Sequence, residues 1–438
     1  MPEPSSVQPP RLMRLGIHLG LSNLAHIAIG VTDVAMTGRL GGNELAAGAL
    51  GSSLYLVCAL AGAGFAAGAG PLLARHRGAR DNSAFTGTIW AASLCLIPFA
   101  LAATTLLIFG EAVLLTGGQS PALAHLSALY MSWLAAALPF SLAFSMLWTI
   151  TAATGRGGAV MWVSLAAIGV NAAGNYVFMF GTDGIPAMGL AGAGVSTLLT
   201  AALKVTLLAV YLRPNRLCWP GKPDITTQLH PLLRDGTPLA ILELATMGYF
   251  VAITFLAGLT GPIQLAAHAV AIQIAEIGIG FAFGFSEAAA VSVAFDVGRK
   301  DELGLRRTIH RAVVFGAGGM ILYAGVLALI PAYLTALFVA PGAPVAGNVS
   351  IITVTLLPVV AICLAADCGR IVLVGVLRGL GDTRRPVTLN LAGFWLVALP
   401  LATVLGLGTS LGVTGIWFGM AVGMGVISIL LARRLTQA

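Results

Sequence analysis

The sequence predicts an all-α polytopic membrane protein, with twelve transmembrane helices in two parallel-related six-helix lobes. Three observations carry this: too little charge for a water-exposed surface, twelve apolar runs of spanning length, and short blocks that recur in the same order in each half. Only 9% of the 438 residues are charged, against 58% hydrophobic; a soluble domain carries about 25% charged residues. The 55 glycines fit the same environment, because small residues let lipid-embedded helices approach closely.

A run of about 20 apolar residues crosses the hydrocarbon core. Such runs occupy 14–38, 46–73, 85–109, 122–148, 159–181 and 188–211, then 236–258, 264–294, 311–337, 347–375, 386–406 and 411–432. The opening "MPEPSSVQPP" lacks the basic segment and short apolar core of a cleaved signal peptide, so the first span is expected to act as its own insertion signal. The net charge of +7 invites a nucleic-acid reading, but its distribution is a topology signal. With a cytoplasmic N-terminus, every basic residue falls in an inward loop or a terminus except Arg39, Lys204 and Arg370. By the positive-inside rule both termini are expected in the cytoplasm. Five cysteines, four of them in apolar runs and without spaced Cys/His pairs, exclude a disulfide framework and a zinc site.

Internal repeats divide the chain. "GRLGGNELAA" at 38–47 resembles "AGLTGPIQLAA" at 257–267, and "GARD" at 78–81 matches "GRKD" at 298–301. "TGRGGAVM" at 154–161 pairs with "LGDTRRPV" at 380–387, and "GLAG" at 189–192 with "GVTG" at 412–415. Six helices per half return the chain to its starting side, so the halves are parallel repeats. This sets an N-lobe at 1–212, a proline-rich cytoplasmic linker at 213–236 and a C-lobe at 237–438, with a substrate site expected between the lobes near mid-membrane.

Three blocks, "TDVAMTGRLGGNELAA", "LTGPIQLAAHAVAIQ" and "LRGLGDTRRP", resemble the multidrug and toxic compound extrusion (MATE) family, with NorM-like and DinF-like features. The similarity runs from about residue 14 to 430. It implies a two-lobed exporter with a V-shaped cavity, driven by inward sodium or proton flow.

The residues exclude other motors. None of the three lysines (Lys204, Lys222, Lys300) precedes Ser or Thr, so no phosphate loop for a nucleotide exists. "GTSLG" at 408–412 fits a nucleophile-elbow pattern around Ser410, but in a short outward loop with no histidine near it in sequence. No HExxH occurs. The chain is read as no enzyme and as needing no cofactor beyond a transported proton or sodium ion.

Ionisable groups inside spans are the default carriers of ion coupling. On the first span Asp33 has two candidate partners: His26, seven residues earlier on the same face, or the amides of Asn171 and Asn175 on the fifth span. Spaced i, i+4, these amides line one face and can complete an oxygen-rich cluster. The resemblance implies that this aspartate and the fifth-span pair form an N-lobe cation or proton site; Asn175 stands where some members carry a second aspartate. Thr197 on the sixth span is a further hydroxyl candidate. In the C-lobe, Glu243 and Asp367 resemble the acidic pair that serves sodium binding in the NorM-like branch, with Cys363 where that branch has a tyrosine. Arg370 lies within an i, i+3 ion pair of Asp367. On the eighth span Glu276, Gln273, Phe283 and Glu287 are expected near the substrate cavity, where carboxylates beside an aromatic face suit a lipophilic cation. Lys204 is expected to snorkel toward the inner end of the sixth span, and His268 of the "AAH" block to be structural.

These readings converge on a multi-pass inner-membrane antiporter, working as a monomer, that exports amphipathic, cationic organic compounds and binds no nucleic acid. The alternatives are a dedicated exporter of a single metabolite and a lipid-linked oligosaccharide flippase of the same superfamily.

Overall fold

A chain in lipid must satisfy its backbone hydrogen bonds internally, and apolar runs of this length do so as helices. A computed structural model describes residues 10–182, 184–212, 224–336 and 346–437. It contains 12 helices long and apolar enough to cross a membrane. The first six are α1 (Leu12–Thr37), α2 (Gly42–Gly78), α3 (Asn82–Ile108), α5 (Pro121–Ala153), α6 (Gly157–Phe180) and α7 (Leu190–Leu212), with α4 (Gly110–Thr116) a short helix after α3. The second six begin with α8 (Ile225–Leu259), α9 (Pro262–Arg299) and α10 (Glu302–Leu329), followed by the short α11 (Pro331–Ala336). Then come α12 (Ala346–Leu380), a span made of α13 (Arg384–Ala392), a π-helical turn (Gly393–Ala398) and α14 (Leu399–Leu407), and finally α15 (Val413–Leu435).

Two boundaries differ from the sequence reading. Residues 225–236, expected in the linker, form the first turns of α8. They are held by contacts remote in sequence: Gln228 Oε1 lies 3.0 Å from His76 Nε2 and accepts from Thr88 Oγ1 at 3.3 Å. Residues 213–223 of the expected linker, with Cys218, lie outside the described residues. The ninth span starts earlier than 311 because Asp301 caps α10, accepting from Gly304 N at 2.9 Å. It stops at Leu329, ahead of Pro331, which cannot continue the ladder and opens α11 instead.

The chain separates into two compact units. One holds Leu21–Ile241, with α5 at its centre packed against α2, α3 and α7. The other holds Leu242–Ala438 and the first turns of α1, up to Gly20, with α12 central among α9, α10 and α15. The division therefore runs inside α1 and α8. The start of α1 belongs with the second unit because glycines allow it to lie directly on α9: a Cβ at Gly284 would overlap the Gly20 backbone.

The repeated blocks fold as repeated turns. Arg80 and Lys300 both adopt φ 58°, uncommon for residues with a side chain. In both cases the next residue is an N-cap aspartate, Asp81 accepting from Ala84 N at 2.9 Å and Asp301 from Gly304 N. Gly189 and Gly412, at the heads of α7 and α15, have φ 57° and 55°. Each half thus spends the same unusual backbone conformations at the same steps. Large apolar side chains left exposed, such as Leu329 at 82% and Leu396 at 74%, suit a lipid surface rather than water.

Candidate ion and substrate sites

In the first unit the site grows from the ends of α1 and α6. Asp33 sits four residues before the end of α1, and Asn175 five before the end of α6. Asn175 Nδ2 donates to Asp33 Oδ1 at 2.6 Å and also reaches Asn171 Oδ1 at 3.4 Å. The i, i+4 spacing does what the sequence suggested, placing both amides on one side of α6. Both asparagines are buried, at 1% and 0% exposure, yet among the described residues Asn171 Nδ2 and Asn175 Oδ1 have no hydrogen-bond partner. An unmade bond at a buried polar atom costs about 1–3 kcal/mol, so two at one carboxylate mark a site with bonding capacity in reserve. His26, the other candidate partner, does not join Asp33. Its ring lies 5.8 Å from those of Phe144 and Trp148.

Thr197 bonds back to Ala193 O at 3.0 Å rather than entering the cluster. Its neighbour Ser196 does contribute, donating to Asn171 O at 2.9 Å and so fixing α7 on α6. Tyr55 and Tyr130 are also within electrostatic reach of Asp33, with the Tyr55 hydroxyl 2.6 Å from Ser141 Oγ. Neither tyrosine carries a motif that marks it in the sequence; Tyr55 comes from the next helix, α2, and Tyr130 from α5, far along the chain.

The second unit holds a different kind of cluster. Arg370 grips Asp367 with a fork: Nε bonds Oδ1, and Nη2 donates to Oδ2 at 3.0 Å. Nη1 donates to Asn390 Oδ1 at 3.0 Å, and the guanidinium lies 5.0 Å over the Phe394 ring. Phe394 in turn stacks on Tyr249 at 4.7 Å. Side-chain exposure is 7% for Arg370 and 1% for Asp367. Both carboxylate oxygens are committed to an internal cation in bidentate geometry, the strongest form of such pairing. Glu243 is half-buried and within electrostatic reach of Arg378 and Arg370. Among the described residues no hydrogen bond or ion pair joins it to Asp367.

Along α9, Gln273 Nε2 donates to Glu276 Oε2 at 3.2 Å, and Glu276 and Phe283 are both exposed. Glu287 departs from this group. Its carboxylate is paired with Arg378 at 3.4 Å and is mostly buried, so its charge is already met inside the unit. Lys204 also departs from expectation. It is 8% exposed, with Nζ 4.6 Å over the Phe144 ring, so it turns inward instead of snorkelling. His268 is structural as expected: Nδ1 accepts from Trp417 Nε1 at 3.2 Å, and Nε2 lies 3.4 Å from Thr254 Oγ1. Among the described residues no three His, Cys, Asp or Glu side chains gather as metal ligands.

The chain and its fold have counterparts. A family model described as MatE matches residues 19–177 and 238–404. A probable multidrug resistance protein NorM from Mesorhizobium japonicum is 35% identical over 427 residues, covering 94% of this chain and 90% of that relative. One from Pseudomonas aeruginosa is 33% identical over 436 residues, covering 98% and 89%. Two solved structures share the fold over 98% of this chain and 97% of theirs. They are a MATE in the straight conformation (TM-score 0.87, 20% identity) and an outward-facing multidrug resistance MATE family transporter of the MOP superfamily (TM-score 0.86, 19% identity). With the family model matched in both halves and a relative 35% identical along most of its length, this chain belongs to the MatE family of membrane transporters and is not an enzyme.

Proposed function

We propose that the chain is an ion-coupled antiporter exporting amphipathic organic compounds, cations among them, across the inner membrane. Multidrug resistance relatives from bacteria support the export reading and the membrane. The basic-residue distribution supports cytoplasmic termini, and the unit of function is taken as the monomer.

The observation that carries ion coupling is the Asp33–Asn175 bond at 2.6 Å beside two unpaired amide atoms. A charged aspartate inside a span costs roughly 2.5–3.5 kcal/mol. A bound ion removes that cost. When Asp33 is ionised it only accepts, and Asn175 Nδ2 holds α1 to α6. When it is protonated it gains a donor, whose acceptor is the unpaired Asn175 Oδ1 after the amide turns. The α1–α6 contact thus has two bonding arrangements, selected by occupancy. A proton needs one oxygen, whereas sodium needs several turned inward at once; an amide N–H facing the carboxylate stabilises its charged form and presents no oxygen to sodium, so the proton is the ion this reading takes.

Asp367 enters this scheme as a structural residue, since Arg370 already fills its coordination. Glu243 is the second-unit carboxylate that retains capacity to respond to an ion, and Glu276 with Phe283 offers a face for a lipophilic cation. Energetically the coupling suffices: one charge moving down 100 mV releases about 2.3 kcal/mol, against about 1.4 kcal/mol for a tenfold substrate gradient.

The test is dye transport in proteoliposomes with proton and sodium gradients imposed separately. The reading expects a panel of unrelated lipophilic cations to be driven by the proton gradient. Transport of one compound only would indicate a dedicated exporter, and transport under neither gradient would overturn ion-coupled antiport.

A further inference from the structure

One end of the first unit brings two arginines together and supplies an anion to neither. Arg77 is the last residue but one of α2, and Arg156 lies in the turn between α5 and α6. The register of α2 on α5 sets them level. Ser127 Oγ donates to Ala47 O at 2.6 Å, a step of 80 residues. A Cβ at Gly62 would overlap the Leu142 side chain, the same step further along. Continued to the end of α2, that step sets Arg77 beside Gly157, and so beside Arg156. The two side chains are within electrostatic reach of one another, cation against cation.

Both side chains are half-buried, and Arg77 Nη1 is buried with no hydrogen-bond partner among the described residues. The ion pairs among those residues include neither arginine. Asp81, four residues after Arg77, is committed to the α3 cap, accepting from Ala84 N at 2.9 Å. Arg156 is the N-cap residue of α6 and makes no side-chain cap, so the positive end of that helix adds to the field.

The second half shows that the fold does not require this pair. Aligning "GARD" with "GRKD" sets Val297 at the position of Arg77, and aligning Gly155 with Gly381 sets Asp382 at that of Arg156. Both glycines have positive φ, 70° and 92°. Asp382 Oδ2 accepts from Arg434 Nε at 2.7 Å, so in that turn charge meets opposite charge. A topology signal needs basic residues on one side of the membrane; it does not need two guanidiniums half-buried against each other. Depth names the missing anion. Arg77 follows the apolar run 46–73 by four residues, about 6 Å of helical rise. The headgroup layer beyond the hydrocarbon is about 5–8 Å thick, so this is the level of lipid phosphates.

We propose that Arg77 and Arg156, at the head of α6, form a binding site for a phosphate group, presented by the headgroup of an anionic phospholipid or by free phosphate. The site is independent of what the chain exports. One non-bridging oxygen takes charge-assisted bonds from Arg77 and the other from Arg156, and the α6 N-terminus favours their negative charge.

Native mass spectrometry of the purified full chain in detergent measures binding of added phosphatidylglycerol, with phosphatidylcholine as the zwitterionic control. Calorimetric titration with inorganic phosphate is the second arm. Wild type should hold phosphatidylglycerol about tenfold or more tightly than phosphatidylcholine. R77Q and R156Q should each lower that affinity about tenfold, the size of a lost charge-assisted bond. R306Q removes the same charge from an exposed arginine of α10 and should stay within about threefold. R156D, which gives the turn the acid found at Asp382, should abolish binding. Inorganic phosphate that binds wild type and is lost in the same variants supports the site with free phosphate as its source; loss of phosphatidylglycerol alone supports it with the lipid as source. Wild type that neither prefers phosphatidylglycerol nor binds phosphate overturns the site, as do equal losses in R77Q, R156Q and R306Q. Should R77Q not fold, the two Arg156 variants decide: unchanged affinity in R156Q and R156D overturns the proposal.

Discussion

Removing the charge of Asp367 should unfold more than it uncouples. Arg370 and Asp367 are 7% and 1% exposed, so water cannot replace the lost partner on either side. Breaking a buried pair from one side costs about 3–5 kcal/mol, because the remaining charge is left uncompensated. In Asp367→Asn the guanidinium keeps Asn390 Oδ1 at 3.0 Å and the Phe394 face at 5.0 Å. The loss should therefore fall at the lower end, about 3 kcal/mol. The double variant Asp367→Asn/Arg370→Gln removes both charges and should recover most of that loss. The assay is thermal unfolding of purified protein in detergent alongside transport in proteoliposomes. The expected pattern is a fall in midpoint and transport for the single variant, and recovery of both in the double. A single variant of unchanged stability with no transport, unrescued by Arg370→Gln, would rule out a structural role and return Asp367 to the ion site.

Other expectations follow from the same geometry. Asp301→Ala removes the α10 cap and should cost about 1 kcal/mol in thermal stability without changing which compounds are carried. Gly375→Ala should destabilise by about 1–3 kcal/mol, measured by the same unfolding assay, because its Cβ would collide with the Ser286 backbone. Glu287→Gln should lower stability while sparing binding of lipophilic cations, since its partner is Arg378 rather than a ligand; equilibrium dye binding checks this. Glu243→Gln should leave stability nearly unchanged and impair gradient-driven transport.

The twelve spans and the repeats were legible because their signals are local. Apolar length marks a helix in lipid, and the Asp81 and Asp301 caps are written into "GARD" and "GRKD". The Asp33 cluster was half legible. The spacing of Asn171 and Asn175 aligned two amides, but nothing in the chain could say that Asn175 rather than His26 takes the carboxylate. That choice depends on Phe144 and Trp148 drawing His26 away. Remote partners explain the other departures. Glu287 is met by Arg378, Lys204 by Phe144, and the start of α8 by His76 and Thr88. In each case a polar segment or a charge was read without its internal partner, as linker, snorkelling lysine or cavity carboxylate, because that partner lies dozens of residues away. Arg370 shows the opposite: an i, i+3 neighbour is visible in sequence, and the pair forms as the spacing allows.

If Asp33 carries the coupling ion, Asp33→Asn is the decisive variant. Asparagine keeps the size of the side chain and an oxygen for Asn175 Nδ2, but it can neither ionise nor release a proton. Gradient-driven efflux in proteoliposomes and equilibrium substrate binding are measured on the same purified variant. Asp33→Asn should fold and bind dye with near-normal affinity yet show no accumulation driven by an imposed gradient. Gradient-driven efflux at the wild-type rate by Asp33→Asn would contradict it.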